Sequence, residues 1–275
     1  MTNRATKHPA TANWPEWPLI HGERALLSGL VEAARKSSDK HITILFPLLD
    51  SVASSTDTLI DLCYEHNLRD AYVIGRVVYE TAINACFILA GGTAVAERAW
   101  RHARQKFLRD LDRTIELAGK EAMKVRWSGA DAAFADPENQ KLLEEFTSRS
   151  GREISSWTPE SVRERLVTIE SNFGEEKTRG LVFGLLLYRH ASEIAHGTLY
   201  GALFALGATE PSGRPKSIEE LADFRCDQCR LLLMLVGFTL ESLVVVMAAP
   251  LQHGEAEAEA KNILHSFTTR PRDDA

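Results

Sequence analysis

The side chains best suited to chemistry are gathered in residues 181–206, LVFGLLLYRHASEIAHGTLYGALFAL. Read as a helix at ~100° per residue, the stretch sets Arg189 and His196 two turns apart on one stripe, flanked by Ser192 and Glu193. Tyr188, Ser192 and His196 form the adjoining ladder at i, i+4 and i+8. Arginine holds a phosphate or a phosphorane-like transition state in its bidentate fork, and histidine exchanges a proton near neutral pH. Together they suit metal-independent cleavage of RNA, in which the ribose hydroxyl attacks phosphorus while Ser192 and Tyr188 orient the phosphate. The same groups equally suit a paired polar network that fixes how two helices meet, since buried polar groups normally find partners.

A second ladder supports the first. In residues 69–90, RDAYVIGRVVYETAINACFILA, Arg76, Glu80 and Asn84 recur at i, i+4 and i+8, and Arg76 and Glu80 are spaced to pair. Two apolar helices that each carry polar groups are best placed face to face in a bundle. Glu241, the single charge in the apolar run 231–251, is a further carboxylate partner for Arg76 or Arg189. The supporting cluster is then Arg76, Glu80, Asn84, His190, Glu193 and Glu241.

Those groups must be positioned by a chain of 275 residues, 44% hydrophobic and 25% charged, with a formal net charge of −6. Such a composition belongs to a globular protein, and the net charge excludes a global basic field for nucleic acid. Any RNA site is local. The most basic part is a charged helix expected from about Thr93 to Trp127, where Arg101, Arg104, Arg109 and Arg113 are the candidates for RNA contact. That face fits either a phosphate surface or a solvated face laced with i, i+4 pairs.

No metal or cofactor is expected. Cys226 and Cys229 form CDQC without a second pair at zinc spacing, and the histidines show no metal-ligand pattern. No Gly-rich phosphate loop or serine-hydrolase elbow appears. The cysteines fall inside apolar helical patterns and the N-terminus lacks a signal-peptide core, which points to a reducing cytoplasm. Residues 231–251 are long enough to span a bilayer, but a mid-span Glu241 is costly there, so a buried soluble helix is expected and a membrane association is not.

Along the chain, Pro9, Pro15 and Pro18 mark residues 1–20 as a loose arm, pinned by Trp14 and Trp17. A helical bundle follows over 21–250, kinked near Leu45 by Pro47 and stopped at Gly91–Gly92. Residues 128–157 read as an irregular insertion or lid with a short helix at 141–146. Helix resumes after Thr158 and Pro159, pauses at Gly174, and runs through the central stretch. Ser217 and Glu220 make a capping box for the next helix, which Pro250 ends, leaving a polar tail over 251–275 whose Glu and Ala alternation from Gly254 allows a last exposed helix. No alternating strand pattern of useful length is evident. The fold class is all-α, a single bundle built on two long apolar helices.

Tyr188, Arg189, Ser192 and His196, taken with the Arg76, Glu80, Asn84 helix, resemble the bacterial proteins grouped as domain of unknown function 5677. The resemblance covers roughly residues 40–250 and implies an all-helical fold with no established activity. The same stretch is similar to the HEPN superfamily of helical ribonucleases of toxin-antitoxin, abortive-infection and CRISPR-associated systems. Their signature, an arginine, a polar residue and a later histidine, falls here on Arg189, His190 and His196, with six residues between Arg189 and His196 where four is commonest. That similarity implies a homodimer whose motif helices form a composite site, Arg189 on the phosphate and His196 on the proton, with RNA as substrate and an antitoxin or other protein as partner. A non-enzymatic interaction protein with purely structural ladders is the alternative.

Overall fold

A computed structural model describes residues 13–210 and 212–270. It is all-α apart from one hairpin and forms two compact units, Met1–Ala90 with Val162–Ala275, and Gly91–Ser161. Residues 1–12 and 271–275, the outer parts of the expected arm and tail, lie outside the described residues.

The first unit is built on α11 (Ile218–Ala248), whose side chains are buried almost without interruption from Leu232 to Ala248. A helix apolar on every side belongs in a core, and α11 packs against α1 (Glu16–Lys36), α8 (Glu175–Phe183) and α12 (Gly254–Thr268). The expected capping box opens it, Ser217 accepting from the Glu220 N–H and Glu220 accepting from the Ser217 N–H. Two helices, α11 and α4 (Leu68–Leu111), are long and apolar enough to cross a membrane, and the most apolar window of α11 is 83% buried inside the protein.

The N-terminal arm is shorter than expected, because α1 begins at Glu16 rather than after residue 20. Pro18 falls in its first turn, where no intrahelical bond needs its missing N–H. Trp14 and Trp17 are pinned as expected, stacked on each other and on His66 and Tyr64 respectively. The break near Leu45 also appears, at Ile44, between α2 (Lys40–Thr43) and α3 (Leu45–Tyr64). The tail forms the helix allowed from Gly254, α12, but one face of it is packed rather than exposed: α12 buries Ala256 and Ala260, and its Lys261 pairs with Glu176 of α8.

The second unit starts at the Gly91–Gly92 stop. Gly92 adopts φ 63°, ψ −153°, a region essentially closed to residues with a Cβ, so the helical run of α4 is interrupted there. Its later segment ends at Leu111, not at Trp127. The remainder is an antiparallel hairpin, β1 (Asp112–Leu117) and β2 (Lys120–Arg126), turned through Ala118 and Gly119, both at positive φ. Ile115 stands opposite Met123. This pairing corrects both the long charged helix and the absence of strands.

α5 (Ala130–Ala135) and α6 (Pro137–Glu145) complete the unit around Leu108, Leu142 and Phe146. The expected insertion at 128–157 thus lies within a larger compact unit. Helix resumes later than expected, as α7 (Val162–Phe173), since the Thr158 hydroxyl bonds the Glu160 carboxylate instead of capping.

Candidate functional site

The central stretch is three helical segments rather than one: the end of α8, α9 (Leu185–Ala195) and α10 (Leu199–Ala205). At the α8–α9 junction, Gly184 meets the Tyr79 ring so closely that a Cβ would fall 2.1 Å from Tyr79 Cε2. The Tyr79 hydroxyl donates to the Leu181 carbonyl at 2.9 Å. One tyrosine of α4 therefore fixes where α9 begins.

With α9 so placed, the two ladders meet as expected. Arg76 donates through Nε and Nη2 to Glu80 Oε1 at 3.2 and 3.1 Å, and through Nη1 to Ser192 Oγ at 3.4 Å. The guanidinium also lies over the Tyr188 ring, 5.2 Å from its centroid. Burial, then the neighbouring Glu80 carboxylate, push the Tyr188 hydroxyl up against the opposing Arg76 charge. Asn84, one turn beyond, is bonded by Arg165 of α7. Sequence reasoning missed Arg165, because VRERLVTIESNF reads as an ordinary charged amphipathic helix.

Arg189 and His196 stand apart from this network. Both are exposed, and neither side chain makes a hydrogen bond or ion pair among the described residues. Arg189 lies over the Tyr200 ring, 5.8 Å from its centroid. His196 is the C-cap of α9, its N–H bonded to the Ser192 carbonyl at 3.0 Å. His190 is stacked on Phe204 at 4.6 Å, with Nδ1 3.0 Å from the Tyr200 hydroxyl. Burial, then the Arg189 charge, lower its affinity for a proton. Glu193 accepts from the Thr198 hydroxyl at 2.7 Å and so closes the α9–α10 turn.

Glu241 does not join the cluster, a correction to its expected pairing with Arg76 or Arg189. Arg76 already has Glu80, and Glu241 is buried on α11 beside Ser242, whose hydroxyl donates to it at 3.2 Å. Its charged neighbours are Lys261, Glu176 and Glu257.

The four arginines expected to face RNA are held within the second unit instead. Arg101 bridges Glu97 and Glu145, and Arg104 donates to Asn139 Oδ1 at 2.7 Å. Arg109 is bonded by Gln105, Thr147 and the Leu143 and Phe146 carbonyls, and Arg113 pairs with Asp110. Arg101, Arg104 and Arg109 anchor α6 and the following loop, whereas Arg113 stays on the exposed surface.

No curated protein and no solved structure matches the chain. The profile of the Family of unknown function (DUF5677) matches residues 42–213. That span takes in Arg76, Glu80, Asn84, Arg165, Tyr188, Arg189, Ser192 and His196, and leaves out α11 with Glu241. The match covers more than half of the sequence, and the chain belongs to this family of unknown function.

Proposed function

We propose that the protein binds and cleaves RNA at the exposed side of α9, in the manner of HEPN ribonucleases. The observation that carries this reading is the contrast on one helix: Ser192 and Tyr188 are engaged with Arg76, while Arg189 and His196 are exposed and unpaired among the described residues. A structural network would have consumed all four. In the proposed reaction the ribose 2′-hydroxyl attacks the adjacent phosphorus to form a 2′,3′-cyclic phosphate as the P–O5′ bond breaks, Arg189 stabilises the charge on the phosphorane oxygens, and His196 takes the 2′-hydroxyl proton and returns it to the departing 5′-oxygen. The Arg76–Glu80 pair holds α9 in register without touching the substrate.

A homodimer formed across α9 and the start of α10 fits this reading, since Leu186 of α9 and Leu199 of α10, each three residues from Arg189 and His196 respectively, are 65% and 75% exposed. A cytoplasmic role in stress response or phage defence, with a protein antitoxin as partner, belongs to the same proposal. Those exposed leucines are also what favours the second reading, a non-enzymatic interaction protein that uses α9 as a docking face.

The test is incubation of purified protein with total RNA in EDTA, wild type beside Arg189→Ala and His196→Ala. The RNase reading expects cleavage by wild type and loss in both variants, which still melt cooperatively. Wild-type protein that leaves RNA intact, or variants as active as wild type, would favour the interaction protein.

A further inference from the structure

A cavity of about 680 Å³ opens in the first unit between the α3–α4 turn, the α9–α10 turn, α10 and the start of α11. We propose that it binds a small organic anion, a carboxylate or phosphate monoester carried on a flat apolar body. The proposal goes beyond the RNA reading and does not rest on it, because neither Arg189 nor His196 lines the cavity.

The charge of the ligand follows from Arg69 and Arg225, which both line the space. Arg225 is half-buried, yet among the described residues it makes no hydrogen bond or ion pair. Other arginines of the unit removed from solvent behave differently: Arg24 pairs with Asp57, Arg76 with Glu80. A partly desolvated guanidinium without an anion is costly. Among the described residues Arg69 is likewise unpaired, and Glu65 is the one acidic residue at the lining. Two guanidinium forks in one cavity suit a carboxylate or phosphate.

The shape of the ligand follows from the rest of the lining. Gly197, Gly201, Ala202 and Ala205 leave it almost without protruding side chains, and Leu68 and Ile194 extend it with apolar surface. A flat ring system covers such a wall better than a branched chain. The wall is pre-formed: Phe204 of α10 meets Tyr72 and Phe224 edge-on at 5.3 and 5.8 Å, and the Thr198 side chain accepts from the Gly201 N–H at 3.1 Å. The volume lies in the range of small-molecule sites, where an apolar lining with a few placed charges is the usual composition.

The test uses full-length protein and fluorescent probes: 1-naphthyl phosphate and 1-naphthoate as the two anions, with 1-naphthol and inorganic phosphate as controls. At least one naphthyl anion is expected to bind saturably, with the tighter of the two identifying the headgroup. Arg225→Gln and Arg69→Gln should each weaken it by about tenfold or more, and Ala202→Trp should abolish it by filling the space. Cooperative melting is checked for each, and exposed Arg69 keeps the charge test valid where another variant misfolds. The proposal is overturned if neither anion binds folded wild-type protein, if 1-naphthol binds as tightly as the anions, or if folded variants bind like wild type. Phosphate alone binding as tightly as its naphthyl ester would overturn the assignment of the apolar wall.

Discussion

Arg76 of α4 reaches Ser192 of α9 at 3.4 Å, while Arg189, one stripe further round α9, is exposed with only the Tyr200 ring beneath it. The helix is thus anchored by one set of polar groups and presents another. Substitution separates the two sets, because loss of an anchoring group lowers stability and loss of a presented group leaves it nearly unchanged.

For the anchor, Arg76→Met is expected to lower the unfolding free energy by about 1 to 2 kcal/mol. The side chains of Arg76 and Glu80 are 19% and 33% exposed, so water screens part of what the pair contributes. Urea denaturation followed by circular dichroism measures the loss. A variant as stable as wild type would mean that the α4–α9 contact is held by Tyr79 and Gly184 alone.

For the presented groups, Arg189→Ala and His196→Ala are expected to change stability by less than about 0.5 kcal/mol, as exposed substitutions without lost partners usually do. The same denaturation curves settle it. A drop of 2 kcal/mol or more in either would show these side chains to be structural and would remove the argument for a substrate-facing role.

Gly92 offers a backbone test. At φ 63°, ψ −153° a Cβ meets no neighbouring atom within 4 Å, so any cost of Gly92→Ala is conformational rather than steric crowding. A loss of about 1 to 3 kcal/mol is expected, read from the thermal midpoint. An unchanged midpoint would mean that the chain straightens through residue 92 at no cost.

The all-α class and the meeting of the two ladders were legible because both rest on helical periodicity, and Arg76, Glu80 and Ser192 keep their spacing wherever the helices lie. The hairpin was hidden because its alternating apolar residues, Ile115 and Leu117 on one strand and Met123 and Val125 on the other, make runs of only two, set among charges of which Arg113, Glu116 and Lys120 also fit helical i, i+3 and i, i+4 spacing. Glu241 was assigned the wrong partner for a related reason: its position on α11 was clear, but periodicity carries no information about which helices pack against that face. Arg69 and Arg225 lie 156 residues apart and meet only through tertiary packing.

Acid–base behaviour should be governed by a buried carboxyl pair on α1 and α11. Glu23 of α1 is fully buried with both carboxylate oxygens unpartnered among the described residues, and burial, reinforced by Glu241 and Glu259, pushes its carboxyl up to about 9. Burial likewise raises Glu241 to about 7, against the opposing hydrogen bond of Ser242 and charge of Lys261. In the unfolded chain both groups release their protons near the ordinary value of 4.5, while the folded protein retains them. The unfolded state then binds fewer protons, so stability falls as pH rises from 4.5 and levels off only above the folded value. From Glu23 alone the fall by pH 7 is roughly 3 kcal/mol. Glu23→Gln removes the titration, and its melting temperature relative to wild type should rise more at pH 8.5 than at pH 5. An equal difference at both values would mean that Glu23 ionises in the folded protein as freely as in the unfolded one.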